Sequence, residues 1–471
     1  MDVDDGVPLS ASFPLPFRVL FLLGMGMLGW ATNLHGLQLL GIDGPSALEL
    51  HANRIYLPLR SPSPSGGHSA ARAFYTPVYR FFAGYVTWCF VAWLIFRMAT
   101  HSDTALVDIF RYIPAVCVLG VLTILVCPHD VFHKRERDSF LFAAARCLFA
   151  TSSSPVYFSD VIYADFLTSF AKVIGDMWLS LCMLLPGGSL LELPAEDGWH
   201  QWILPSLMSL PYLIRLRQCL IEYNSPRSSG SRQLFNAIKY ASSLPVIFLS
   251  ASQRIVALDL AQTHGDSVTR EGWHGEHPLF RLWLLSAAIN SIYSFWWDLT
   301  NDWGLDLLTS HSAQSRVKLP RAPVLPSLHS KDTSTGGSPH ALYSLSDPTS
   351  STSSTIAFDA TARHSVPYPC GLRSVLLYPL PVYPMAIFLN FVLRMTWSIK
   401  LSSHLHAQSE GSAPIFWLEI AEVLRRWIWV FLRVEWEVVK RGGDKSRSIG
   451  NGASPNHVEL VPTHSREGNI D

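Results

Sequence analysis

Nine stretches of this chain are apolar enough to form spanning helices: residues 17–40, 81–98, 106–127, 161–186, 200–222, 234–254, 279–300, 375–399 and 413–433. A helix needs roughly 20 such residues to cross the hydrocarbon layer, where every backbone polar group must find its partner within the segment. The pattern predicts an all-α, polytopic transmembrane helical bundle of about nine spans. Residues 140–150 (FLFAAARCLFA) are too short to cross, so an interfacial or re-entrant helix is expected there.

The polar positions between these stretches are sorted by side. Lys and Arg gather in 54–80, 134–137, 227–232, 310–373 and the tail from Lys440, whereas the N-tail, 99–105, 189–200, 255–278 and 402–412 carry almost none. The positive-inside rule then places the N-terminus in a lumen or outside and the C-terminus in the cytosol. The expected organisation is a luminal tail over 1–16, a membrane domain over 17–309 that resumes over 367–437, a cytosolic loop over 310–366 and a cytosolic tail over 438–471. Loop and tail are rich in Ser, Thr, Pro and Gly and have no apolar period, so burial cannot offset their ordering entropy and disorder is expected.

Only 15% of the residues are charged, against about 25% in soluble domains. Acidic and basic residues balance, which leaves no excess that would recruit nucleic acid. The seven cysteines include no CxxC pair and read as small buried hydrophobes. The acidic opening MDVDDGVPLS lacks the basic flank of a cleavable signal, so the first apolar stretch is expected to stay as an anchor. No HExxH, GxSxG or P-loop is present, so neither an enzyme nor a cofactor is expected.

The informative residues are ionisable side chains inside the apolar stretches. Each costs about 2.5–3.5 kcal/mol at the bilayer centre even on lenient scales, which makes it a functional candidate. Asp165, Lys172 and Asp176 lie in the fourth stretch, Arg215 and Arg217 in the fifth, and Lys239 in the sixth. Asp298 and Asp302 close the seventh, Arg394 sits in the eighth, and Glu422, Arg425 and Arg426 lie in the ninth. Arg offers a planar fork that grips oxyanions, so several Arg-bearing helices and one Lys-bearing helix describe an oxyanion cavity better than a cation site. Asp165, Asp298 and Asp302 would pair with the surplus cations. The bland alternatives are snorkelling of Arg425 and Arg426, an interfacial anchor at Lys239 and Tyr240, and aromatic belts in the Trp-rich runs WWDLTNDWGL and WLEIAEVLRRWIWVFLRVEW. Trp397, three residues beyond Arg394, would wall the cavity. Asp298 and Asp302 share a helix face, but no metal is expected there.

The strings RLRQCLIEY (215–223), LFNAIKYAS (234–242), YSFWWDLTNDWGL (293–305), LNFVLRMTWSI (389–399) and EVLRRWIWVFLRVEWE (422–437) together resemble the EXS-domain family. GWATNLHGLQLLGID (29–43) resembles its short Golgi type, typified by the yeast ER-retention-defective protein. An inositol-polyphosphate-sensing SPX domain, as in the retrovirus-receptor phosphate exporter, is not expected. The resemblance implies return of inorganic phosphate from the Golgi lumen to the cytosol, in support of glycosylation and retention of luminal proteins. It implies phosphate contacts at Arg215, Lys239, Tyr240, Arg394, Arg425 and Arg426. Supporting roles fall to Asp165, Asp298 and Asp302, and a gating role to Trp397. Thr168 stands where relatives usually carry Asn, which keeps polarity but changes the donors. Expected partners are inorganic phosphate and membrane lipids. Cytosolic sorting proteins on the loop or tail, and a second copy of the chain, are further candidates. A non-transporting sorting scaffold for ER and Golgi enzymes stays open as the alternative function.

Overall fold

The computed structural model describes residues 9–50, 67–101, 103–130, 132–149, 156–192, 194, 198–225, 230–264, 278–305, 307, 372–373, 375–402 and 412–451, with the side chains of 67–71, 73, 257–264, 396–402, 412 and 444–451 left outside that description. Among them the fold is all helical, with no strand. The 310–366 loop predicted from sequence lies outside the described residues. So does most of a small second unit, 305–375; within it Arg373 Nε donates to the Val375 carbonyl at 2.9 Å.

Among the described residues twelve longer helices build the main unit. In chain order they are α1 (Leu15–Leu39), α2 (Gly67–Thr100), α3 (Tyr112–Val126), α4 (Lys134–Phe149), α5 (Phe158–Ser169) and α6 (Ala171–Leu184). They continue with α7 (Ile203–Asn224), α8 (Arg232–Ala241), α9 (Ser243–His264), α10 (Pro278–Trp297), α11 (Val382–Ser402) and α12 (Ser412–Asn451). Helix α1 packs on α2, α6 and α12; α7 packs on α5, α6, α8 and α9; α10 packs on α9 and α11, and α11 on α12.

Polarity is inverted relative to a soluble protein. Phe90 on α2, Leu119 on α3, Ile292 on α10 and Phe388 on α11 are exposed, while Asp165, Arg215, Asp298 and Arg425 are buried. Lipid, not water, is the solvent that selects such an arrangement, and this chain is a membrane protein. Helix α1, the Phe74–Thr100 part of α2 and the Arg232–Val256 run of α8 and α9 are long and apolar enough to cross a bilayer. Helices α5 and α6 form a fourth candidate, bent by 61°.

That bend has a local cause. The Thr168 hydroxyl donates back to the Asp165 carbonyl at 2.7 Å, an interaction that bends helices. Phe170, at the break, turns into a core of Val19, Leu22, Val173 and Val423. Gly26 of α1 makes room, since a Cβ there would stand 2.9 Å from the Phe170 ring. A broken helix is tolerated inside a membrane only where it is buried in protein or lines a cavity. The predicted 279–300 span also departs from a plain helix. Residues Asp298–Asp302 form one π turn, closed by the Trp303 N–H on the Asp298 carbonyl at 2.9 Å. The chain leaves that turn through Gly304 at φ +60°, where any Cβ would collide with the Trp436 ring.

Helix α3 ends under a clamp supplied by α4. The buried Arg137 guanidinium donates to the carbonyls of Ile124, Leu125, Cys127, His129 and Phe132, which satisfies acceptors that a helix C-terminus leaves open. Arg137→Leu is expected to lower stability by about 3 kcal/mol or more, because several buried carbonyls lose their donor together. Thermal melting in detergent measures this. A variant that melts with the wild type would show that water replaces the clamp.

Candidate functional site

The bend, the π turn and the α8–α9 junction converge on one buried cavity of about 30 Å³. That is roughly twice what a single ordered water requires. Thr168 lines it from α5, Tyr212 from α7, and Lys239, Tyr240 and Ser243 from the α8–α9 junction. Helix α10 adds Asn290, Ser291 and Ser294; α11 adds Arg394; α12 adds Glu422, Arg425 and Arg426.

Three aspartates anchor cations around it. Asp165 accepts from Arg215 Nε at 2.8 Å and from the Tyr240 hydroxyl, while Arg215 Nη1 donates to Gln218 Oε1 at 2.7 Å. The Arg215 guanidinium also lies over the Tyr240 ring at 5.0 Å. Asp298, fully buried, accepts from Lys239 at 3.1 Å, Arg394 at 2.6 Å and Asn390 at 3.3 Å, and Arg425 stands 3.7 Å away. Asp302 meets Lys239 at 3.2 Å and Arg433 at 4.0 Å. The wider turn of a π-helix lets both carboxylates reach the same ammonium group.

On α12, Glu422 grips Arg425 with both oxygens, at 2.6 and 2.9 Å, and accepts from the Ser169 hydroxyl at 2.8 Å. Arg426 is different. Its Nε donates to Ser169 at 3.0 Å and its Nη2 to Thr168 at 3.0 Å, both neutral hydroxyls. Among the described residues its buried Nη1 has no acceptor, and no carboxylate lies within ion-pair distance of the guanidinium. Nearly all buried polar groups in proteins are satisfied, so a cavity-lining guanidinium that is 4% exposed and keeps an unpartnered N–H marks a place for an acceptor.

The structure thus brings Thr168, Lys239, Tyr240, Arg394, Arg425 and Arg426 to one cavity wall. Arg215, Asp165, Asp298 and Asp302 stand behind it as supports. The Trp397 side chain lies outside the described residues. Snorkelling of Arg425 and Arg426 is overturned, since both are buried at 4% exposure. The aromatic-belt reading is overturned for Trp297, Trp303 and Trp429, which are buried at 2% or less because they pack against helix and charge inside the bundle. It stays compatible with Trp296 and Trp417, which are exposed. Lys172 and Arg217 point elsewhere, Lys172 to Asp176 and Arg217 to the Leu148 carbonyl.

Sequence reasoning passed over the neutral part of the wall, Tyr212, Ser243, Asn290, Ser291 and Ser294, as well as Ser169 and Asn390 behind it. A trace was visible: Asn290, Ser291 and Ser294 fall at i, i+1 and i+4 in the mostly apolar second half of α10. Among the described residues no group of three or more His, Cys, Asp or Glu is placed to hold a metal ion.

Residues 13–439 match the EXS family, a span that includes every residue of the cavity and its supports. The chain belongs to the EXS family. It is 27% identical to Protein ERD1 homolog 1 of Schizosaccharomyces pombe over 437 residues, 91% of each chain. It is 26% identical to Protein ERD1 of Saccharomyces cerevisiae over 311 residues, 65% of this chain and 63% of that one. SPX and EXS domain-containing protein 5 of Dictyostelium discoideum is 26% identical over 347 residues, 71% of this chain but 30% of that longer protein. In this EXS chain the cavity therefore lies wholly within the region that matches the family.

Proposed function

We propose that this EXS protein is an inorganic phosphate transporter or channel of the Golgi membrane, moving phosphate from lumen to cytosol without a catalytic step of its own. In this reading the nine predicted stretches all cross, with the N-terminus luminal and the C-terminus cytosolic, and glycosylation and retention of luminal proteins depend on the flux.

The observation that carries the reading is Arg426, a buried guanidinium of the cavity wall held by two hydroxyls, with one N–H that has no acceptor among the described residues. Arg394, Arg425 and Lys239 share the same wall, so an oxyanion there meets four cations from three helical segments. Asp298, Asp302 and Glu422 pair with three of those cations, Lys239, Arg394 and Arg425, which keeps the site from binding the anion too tightly for release. The Asn290 side-chain amide N–H adds a neutral donor to that wall, while the Tyr240 and Ser243 hydroxyl protons are held by Asp165 and the Asn290 carbonyl oxygen.

Reconstitution tests it. Liposomes loaded with labelled phosphate and carrying the wild-type chain are expected to release it, with Arg394→Ala and Arg425→Ala slowed by roughly tenfold or more, since each removes charged hydrogen bonds worth about 1.5–3 kcal/mol. Background release from the folded wild type would leave the membrane sorting scaffold as the standing function.

A further inference from the structure

Helix α12 carries one polar stripe along its length: Glu422, Arg426, Arg433, Glu437 and Arg441 recur three or four residues apart on a single face, once Trp429 is counted between Arg426 and Arg433. Burial along that stripe is graded. The side chains of Arg433, Glu437 and Arg441 are 12%, 15% and 39% exposed, rising toward the C-terminal end of the helix. They form a ladder: Arg433 to Glu437 at 3.5 Å, Glu437 to Arg441 at 3.1 Å, and Arg441 to Glu49 at 2.7 Å. The ladder is a polar, progressively exposed face, here the vestibule, whose outer end lies at Arg441.

Its floor is dry. Trp429 and Val430 are both fully buried, and Ile162 of α5 is 1% exposed. Helix α5 runs beside α12, with Phe158 under Arg433 at 4.8 Å and Thr168 and Ser169 at Arg426, so Ile162 falls at the level of Trp429. The Trp429 ring is pressed against the Arg426 guanidinium at 4.5 Å, and its buried indole N–H has no acceptor among the described residues. Asp302 links the two sides, its carboxylate bridging Lys239 of the cavity and Arg433 of the vestibule.

We propose that Trp429 is the gate between the cavity and this vestibule, a dry collar that a hydrated oxyanion crosses only when the indole swings aside. The inference rests on the proposed oxyanion cavity. An apolar constriction between two polar chambers excludes water and ions until it widens. The unpartnered indole N–H then serves as a donor to the anion during passage from Arg426 to Arg433, while Asp302 gives up one of its two cations.

Cysteine accessibility tests the collar without relying on transport. In the full-length chain with its native cysteines replaced, a membrane-impermeant thiol reagent is added from the side bearing the C-terminal tail. Arg433→Cys is expected to react and Ser294→Cys, inside the cavity, to stay protected, with rates at least roughly tenfold apart. Adding Trp429→Ala to Ser294→Cys should remove the protection, and adding Trp429→Phe should preserve it. Equal rates at the two reporters would overturn the proposal, as would protection of Ser294→Cys that survives Trp429→Ala in a chain that elutes as a single folded species. The comparison of reporters needs no change at Trp429, so poor folding of the alanine variant does not blunt it. A chain that shows the barrier yet moves no phosphate would sink the transport reading and leave the collar standing.

Discussion

Replacing Asp298 with Ala is expected to remove about 3–5 kcal/mol of folding stability, because it breaks a buried ion pair from one side only. The carboxylate is fully buried and takes hydrogen bonds from Lys239, Arg394 and Asn390, with Arg425 3.7 Å away. Three cations from α8, α11 and α12 would then face one another across a space shielded from water, where like charges repel strongly. Lys239 would keep Asp302, but Arg394 would lose the carboxylate that holds it at 2.6 Å. Asp298→Asn restores the shape and one acceptor but not the charge, so an intermediate loss follows. Heating detergent-purified protein and following the monodisperse chromatographic peak measures both. If Asp298→Ala melted with the wild type, the four side chains would not be held by this carboxylate.

The charged half of the site was legible in the sequence because charge inside an apolar stretch is conspicuous. Asp165, Arg215, Lys239, Asp298, Arg394, Arg425 and Arg426 each interrupt a hydrophobic run, and each lies in or directly behind the cavity wall. Neutral partners leave no such mark. Ser169 joins the two halves of the network, accepting from Arg426 and donating to Glu422, yet a serine within an apolar helix is too common to single out. The break at Phe170 was hidden for a related reason. Neither Gly nor Pro stands there, and the bend follows from a hydroxyl bonded to its own helix and a ring drawn into the α1–α12 core. The tryptophans misled because a ring beside a charge looks the same in sequence whether it lies at a lipid headgroup or, as Trp429 does, against a buried guanidinium. Only packing separates those cases. Helical class could be read from the apolar period, since that property is local. The convergence of α5, α7, α8, α10, α11 and α12 on one cavity could not, because it depends on contacts between residues as distant as Thr168 and Arg426.

Arg426→Leu should behave in the opposite way to Asp298→Ala, losing phosphate while keeping the fold. The wild-type guanidinium is bonded only to the Thr168 and Ser169 hydroxyls, and its Nη1 is unsatisfied, so removing it strands no carboxylate. Ser169 still has Glu422, and Thr168 still has the Asp165 carbonyl. An oxyanion in the cavity loses a charged donor worth about 1.5–3 kcal/mol, which weakens binding by roughly 10- to 150-fold. Arg426→Lys keeps the charge but lacks the planar fork that spans both hydroxyls and the anion, so most of the loss should persist. Equilibrium binding of labelled phosphate to the detergent-purified chain gives the affinities, and a melting curve on the same samples gives the stability. Unchanged phosphate affinity in Arg426→Leu, with a fall in stability like that of Asp298→Ala, would mean that this guanidinium serves packing. The open N–H would then no longer point to an oxyanion, and the transport reading would lose the observation that carries it.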